Sequence, residues 1–167
     1  MCIRDRDRRL IAERTRAEAR LIHTARKCGV PTPIMSDITA DTIVMEEVPG
    51  TLLTHALIES NVLEVGRMIG RLHAAGVMHG DLTTSNLILR ESDGKCVLID
   101  FGLAQATTEI EQRGVDIHVL FQTLESTAPE HADALKAAFT AGYIENFDGA
   151  ADVIHREHEI ELRGRYL

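Results

Sequence analysis

Tryptophan is absent from the 167 residues, and aromatic side chains make up only 4% of them. A core without large rings is expected to be built from Leu, Ile, Val, Ala and Met, and an apolar content of 44% suffices for one compact domain. Cysteine is scarce as well. Cys2, Cys28 and Cys96 are odd in number and far apart, which excludes a disulfide framework and any zinc-ligand spacing. They read as incidental thiols in a reducing compartment. No apolar run approaches the ~18–20 residues that span a bilayer. Met1 to Arg9 is mostly charged and has no apolar signal core. The expectation is a cytoplasmic protein that does not engage a membrane. Net charge is −8 and the pI about 5.4. That balance excludes a chain that coats nucleic acid by bulk electrostatics, but it leaves room for a local basic patch.

What is present is a clear alternation of helix and strand signals. Residues 1–9 alternate Arg and Asp without a period and read as a non-native start. Leu10 to Cys28 reads as a helix rich in Ala, Glu, Arg and Leu, with Gly29 placed as its C-terminal cap. Pro31 and Pro33 force an extended segment. Two short strands follow, Ile34 to Ile38 and Thr42 to Val48, joined by a turn at Thr39-Ala40-Asp41. Pro49-Gly50 breaks the pattern, and a short helix is expected over Leu52 to Glu59. Val62, Val65, Ile69 and Leu72 repeat at helical spacing in a helix over Val62 to Ala75, which Gly76 ends. After a loop from Met78 to Asn86, Leu87 to Arg90 and Cys96 to Ile99 form a hairpin turning at Ser92-Asp93-Gly94. Three helices close the chain: Ile110 to Glu125, Glu130 to Ala141 with Pro129 in its first turn, and Ala150 to Leu162.

The chemistry is concentrated in two short runs, His79-Gly80-Asp81-Leu82-Thr83-Thr84-Ser85-Asn86 and Asp100-Phe101-Gly102. Phosphoryl transfer needs a positioned nucleophile, metal ions that neutralise phosphate charge, and a clamp on the nucleotide. Asp81 stands where a substrate hydroxyl would be oriented and its proton accepted. Asn86, five residues on, is placed to hold a metal ion. Asp100 ends the apolar strand Val97-Leu98-Ile99, Gly102 permits a sharp turn after it, and an exposed carboxylate suits hard, oxygen-preferring Mg²⁺. Either run alone arises by chance. Their order, with a helix before and a hairpin between, has the spacing of a kinase. His79 is expected to pack and to bond the backbone near Asp-Phe-Gly. Asp116, inside the apolar stretch Val115 to Leu120, reads either as a solvated helix residue or as a buried carboxylate accepting backbone N–H bonds from the loop. His155 and His158 could meet on a helix, but no third ligand accompanies them.

Glu18 is the helix carboxylate suited to pair with a nucleotide-clamping lysine. Only Lys27, Lys95 and Lys136 occur, none before Glu18, and the first glycine is Gly29. The expectation is therefore a truncated chain that lacks the nucleotide-covering strands.

These residues resemble a known family. Arg14-Thr15-Arg16-Ala17-Glu18-Ala19, Gly29-Val30-Pro31-Thr32-Pro33, Met45-Glu46-Glu47-Val48-Pro49-Gly50, the loop around Asp81 and Ile99-Asp100-Phe101-Gly102-Leu103-Ala104 are similar to the kinase subunit of the KEOPS complex. Thr-Thr-Ser-Asn after Asp81 is the most specific element, and Arg163-Gly164-Arg165 resembles that family's short basic tail. The resemblance implies an α+β, protein-kinase-like fold: an N-lobe remnant over 10–48 (a helix and two strands) and a complete helical C-lobe over 49–167. It implies a small atypical Ser/Thr kinase or ATPase that uses ATP and Mg²⁺. The implied roles are Asp81 as base or orienter, Asn86 and Asp100 on the metal, Glu18 as an orphaned clamp partner, and backbone around Glu46 to Val48 against adenine. It further implies other KEOPS subunits as partners, above all the threonylcarbamoyl-transferase subunit, with tRNA reached indirectly or through a tail bearing Arg156, Arg163 and Arg165. A shortened activation segment agrees, since a helix is expected to start within about ten residues of Gly102. Two rival readings stand beside this one: a non-catalytic binding module, favoured by the missing clamp, and a small-molecule kinase of the aminoglycoside type.

Overall fold

A computed structural model describes residues 3–164. The first helix, α1 (Ile3–Lys27), begins well before the expected Leu10, because each further turn of charged residues adds one backbone bond per residue to a helix already nucleated. It buries Thr15, Ala19, Ile22 and Ala25 along one stripe. The end is a glycine cap: Gly29 has φ +82°, and Val30 N–H reaches back to Ala25 O at 3.0 Å. The strands β1 (Met35–Ile38) and β2 (Ile43–Met45) then form an antiparallel hairpin, each shorter than expected, closed by Thr39 N–H donating to Thr42 O.

The expected helix over Leu52 to Glu59 is not there. Gly50–Leu52 instead form β3, paired with β5 (Leu87–Arg90), which also pairs with β6 (Cys96–Leu98). A single 3₁₀ turn, Leu53–His55, follows. Tertiary pairing overrides local propensity here: Leu53 is fully buried, and a β-carbon on Gly50 would lie 2.2 Å from Leu89 O, so only glycine lets the two strands meet.

The body of the molecule is α2 (Glu59–Ala74), α3 (Ile110–Thr127), α4 (Ala132–Ile144) and α5 (Ala150–Gly164). Pro129 sits in the turn before α4 rather than in its first turn. α2 and α4 cross with their backbones almost touching. β-Carbons on Gly66 and Gly142 would each meet a carbonyl oxygen of the other helix at 2.1 Å.

The core corrects an expectation. Besides the aliphatic residues it holds Phe101, Phe121, Phe139 and Tyr143, with Phe147 packed against them. Phe139 and Tyr143 stack, while Phe121 and Phe147 meet them edge-on at about 5.5 Å. The few rings are thus gathered on α3 and α4 and in the turn after α4. Two further strands escape any sequence pattern. β4 (Val77–Met78) pairs with β7 (Gln105–Ala106) and ties the start of the Asp81 loop to the segment after Asp-Phe-Gly. No helix of the described residues is long and apolar enough to cross a membrane.

Candidate active site

Asp81 and Asn86 lie at the two ends of a loop that α2 and β4 deliver and β5 takes away. The Asn86 side-chain amide donates to both the backbone carbonyl and the Oδ2 of Asp81, at 2.9 Å each. Its nitrogen is so engaged, and no hydrogen bond engages its side-chain oxygen among the described residues. The Asn86 backbone carbonyl accepts from Ile99 N–H at 3.0 Å, which sets Asp100 beside the loop. Thr54 Oγ1 donates to the buried Thr84 Oγ1 at 3.0 Å and fastens the middle of the loop to the turn after β3.

Asp100 is exposed and has φ +61°, the left-handed region that Asp tolerates better than most residues. The sharp turn therefore falls on the aspartate itself and not on Gly102. Gly102 serves differently, since its N–H donates to Asp100 Oδ1 at 3.2 Å. No hydrogen bond engages Asp100 Oδ2 among the described residues. Gly80 does have a positive φ, +83°, and a side chain there would drive its β-carbon to within 2.2 Å of Leu103 O.

A buried polar network holds the loop from beneath. Asp116 on α3 is 1% exposed. Its Oδ2 accepts from His79 N–H at 2.7 Å and its Oδ1 from Gly80 N–H at 2.8 Å. Of the two readings left open for Asp116, the buried acceptor is the observed one. His73 Nε2 lies 3.1 Å from the same Oδ2, and His73 Nδ1 meets Tyr143 Oη at 2.8 Å. His79 Nε2 donates to Ile99 O at 2.9 Å, and its ring meets Phe101 edge-on. That bond to Ile99, next to Asp-Phe-Gly, is the structural part expected of His79. His73 and Tyr143 were not singled out by sequence reasoning. The available signal was a polar residue on the apolar stripe of α2, six residues before His79.

Glu18 is half-buried on α1 and close enough to Asp100 to feel its charge. Burial first, and the Asp100 carboxylate second, push the Glu18 pKa up. No lysine or arginine pairs with it among the described residues. Lys136 bonds Glu125 and covers the Phe121 ring, and Lys95 stands on the β5–β6 turn. The Glu46 amide donates to Ile34 O at 2.9 Å, and its side chain lines a separate hollow with Arg90.

The donor set suits magnesium. No group of three or more His, Cys, Asp or Glu side chains converges among the described residues. Asn86 Oδ1 and an Asp100 carboxylate are two hard oxygens, and Mg²⁺ is commonly held by one or two such ligands plus phosphates and water. His155 and His158 instead pair with Glu159 and Glu161 at the surface. In the tail, Arg156 binds Glu111 and Glu159, and Arg163 reaches Glu111. Those two cations are folded back along α3, and Arg165 lies outside the described residues. Cys96 is buried, which pushes its thiol up to about 12 and leaves it inert, and Cys28 is half-buried and raised by burial as well. Cys2 lies outside the described residues.

This arrangement has relatives. The model of the family described as lipopolysaccharide kinase (Kdo/WaaP) matches residues 2–143. A "Probable bifunctional tRNA threonylcarbamoyladenosine biosynthesis protein" of Methanoculleus marisnigri is 62% identical over 161 residues, which are 96% of this chain and 30% of that protein. A "Probable serine/threonine-protein kinase BUD32 homolog" of Archaeoglobus fulgidus is 44% identical over 165 residues, 99% of this chain and 83% of that protein. Among solved structures, WaaP in complex with acyl carrier protein superposes with a TM-score of 0.68 at 22% identity, covering 88% of this chain and 75% of that one. The chain thus spans under a third of the bifunctional relatives' length, and the likeness to WaaP establishes the α+β, kinase-like fold. A family match over most of the chain, and close identity along most of a BUD32 homolog, make it a member of the kinase family described as lipopolysaccharide kinase (Kdo/WaaP) and of the BUD32-homologous serine/threonine kinases.

Proposed function

We propose that the site serves Mg²⁺-dependent ATP binding and phosphoryl transfer or hydrolysis, in the service of tRNA threonylcarbamoyladenosine biosynthesis. The carrying observation is the Asn86 amide that fixes Asp81 while the Asn86 backbone holds the strand ending in Asp100. Asp81 Oδ1, free of that bond, orients an acceptor hydroxyl or water and takes its proton. Asn86 Oδ1 and the Asp100 carboxylate would hold Mg²⁺, which when bound would supply positive charge against the phosphates. Glu18 is the partner of a clamping lysine that these residues do not supply. The Glu46 carbonyl and the Val48 backbone meet adenine, the Glu46 amide being engaged with Ile34.

In this reading residues 10–48 belong to an upper lobe and 49–167 form the lower lobe. The working setting is cytoplasmic, within a KEOPS-type complex whose threonylcarbamoyl-transferase subunit is the principal partner. tRNA is reached through that complex or through the tail. The names of the relatives support the pathway, and 44% identity to a serine/threonine kinase homolog supports the chemistry.

A second reading, a binding module without turnover, is favoured by one observation: no lysine or arginine pairs with Glu18 among the described residues. Calorimetric titration with Mg·ATP separates the two. The enzyme reading expects weak binding to the chain, a loss of at least ten-fold in Asp100→Asn, and little change in Asp81→Asn. In a chimera carrying a glycine-rich hairpin and a lysine upstream, Asp81→Asn should cut turnover by about 10²–10⁴-fold. Equal loss of binding in both variants contradicts the division of roles. A chimera with no turnover at all leaves the binding module.

A further inference from the structure

An acidic protein that concentrates cations in one place has a use for them. Away from the Asp81 loop, the C-terminal end of α1, the middle of α2 and the β5–β6 turn enclose a hollow of about 370 Å³, lined among others by Gly29, Arg71 and Lys95. A second hollow of about 290 Å³ adjoins it, shares Gly29, Pro31 and Lys95, and adds Arg26 and Arg90. Four cations therefore line one continuous depression in a chain of net charge −8. We propose that this depression is a phosphate site that receives an RNA backbone.

The Arg71 Nε is buried and has no hydrogen-bond partner. A buried donor of a charged group is costly to leave unpaired, and no carboxylate is paired with Arg71 among the described residues, so its positive charge is left to the hollow that it lines. Gly29 lies against the guanidinium, and its positive φ of +82° disfavours any side chain there. The acidic residue lining the first hollow, Glu64, is occupied by Arg67, which also binds Glu145. In the second, Arg90 is held by Asp93 in a two-point bond at 2.9 and 2.7 Å, and Arg26 donates to Thr32 O at 2.5 Å. Lys95 is 4.0 Å from Asp93, and its side chain is 67% exposed. Arg71 and Lys95 are thus the cations with charge to spare, and Arg26 and Arg90 extend the field.

Guanidinium and ammonium groups together suit tetrahedral phosphate oxygens. No aromatic ring lines either hollow. A free base would find nothing to stack on, so the surface can read phosphates but not bases. Four cations spread over two adjoining hollows offer more positive charge than one phosphate takes, which favours a chain of them. The choice of RNA rests on the proposed role in tRNA modification, while the anion site itself rests on the geometry alone.

The test uses the 167-residue chain with unmodified tRNA, inorganic phosphate and polyglutamate as probes, read by fluorescence anisotropy and by amide NMR. Wild type should bind tRNA with strong salt dependence, and the Gly29 and Lys95 amides should shift. Arg71→Gln with Lys95→Gln should lower affinity at least ten-fold at low salt and flatten the slope of log K against log salt by about 2, one for each phosphate no longer neutralised. Lys95→Gln alone, at an exposed position, should remove about half of that slope change and guards against misfolding of the double variant. Arg9→Gln with Arg20→Gln matches the charge change elsewhere and should leave both numbers nearly as they were. An unchanged slope in the double variant, or equal losses in the matched control, overturns the proposal. So does a shift by phosphate without tRNA affinity, which would mean a free-anion site, or tighter binding of polyglutamate than of tRNA. Mg·ATP shifts at Asn86 and Asp100 should persist in the double variant, so failure here and failure of the nucleotide reading are separately visible.

Discussion

The two ends of the molecule are built to different standards. In the helical body, Ile69, Leu72, His73 and Ile117 are shut off from water altogether, and the Asp81 loop hangs from a buried carboxylate. In the N-terminal segment, α1 and the β1–β2 hairpin leave Leu10, Ile11, Ile34, Ile38, Val44 and Met45 between 38% and 51% exposed. Only the last turns of α1 join the core, through Ile22 and Ala25. The difference separates what positions catalysis from what would cover a nucleotide. The loop, Asn86 and Asp100 are held by the body, while Glu18 stands in the thin segment and pairs with no lysine or arginine among the described residues.

The comparison is broken most forcibly at Asp116. Asp116→Ala leaves His79 N–H, Gly80 N–H and His73 without their acceptor. Removing one partner from a buried ionic network costs about 3–5 kcal/mol, and urea unfolding should show a loss of that size together with shifted amides at His79 and Gly80. A loss below about 1 kcal/mol would mean that the body does not depend on this carboxylate.

Next in size is the α2–α4 crossing. Gly142→Ala places a β-carbon 2.1 Å from Leu63 O, where neither backbone can easily yield. Overpacking of this kind costs about 1–3 kcal/mol, seen as a lower urea midpoint with an unchanged slope. The N-terminal segment sets the other pole. Ile38→Ser or Val44→Ser removes side chains that are already half in water, and surface changes stay within about 0.5 kcal/mol. A loss above about 1 kcal/mol at either position would show that the hairpin is as tightly built as the body.

The smallest effect is electrostatic. The Arg90 guanidinium holds the Asp93 carboxyl down to about 2, below its ordinary 3.8. Because the folded value lies below the unfolded one, the contribution is present above about pH 4 and is lost as pH falls toward about 2. The pair is exposed, so high salt should shrink the effect. The Gly94 and Lys95 amides should report the titration, and Asp93→Asn should abolish it.

Much of the site was legible because phosphoryl transfer demands fixed residue types at fixed spacings. Asp81, Asn86 and Asp100 could be placed from two short runs, and Asp116 betrayed itself as a charge on an apolar helix. What was hidden depends on contacts distant in sequence. β4 and β7 are two residues each, too short for alternation to show. Gly50–Leu52 looks like the start of a helix until β5 claims it. Gly102 looked like the strained residue of its turn, whereas the positive φ sits on Asp100. The tail cations read as free from sequence, but Glu111, some fifty residues earlier, takes both Arg156 and Arg163. Scarcity of rings suggested an aliphatic core, yet the same few rings are stacked together on neighbouring elements.

The central proposal is that Asn86 and Asp100 form a metal–nucleotide site that the helical body holds in shape. Titrating Mn²⁺ with ATP into the isotope-labelled chain measures this directly, since the ion broadens only the amides near it. The account predicts nucleotide-dependent broadening centred on Asn86, Asp100 and Gly102, reaching Glu18, sparing α5, and vanishing in Asp100→Asn. Broadening centred elsewhere, or the same pattern in Asp100→Asn, would contradict it.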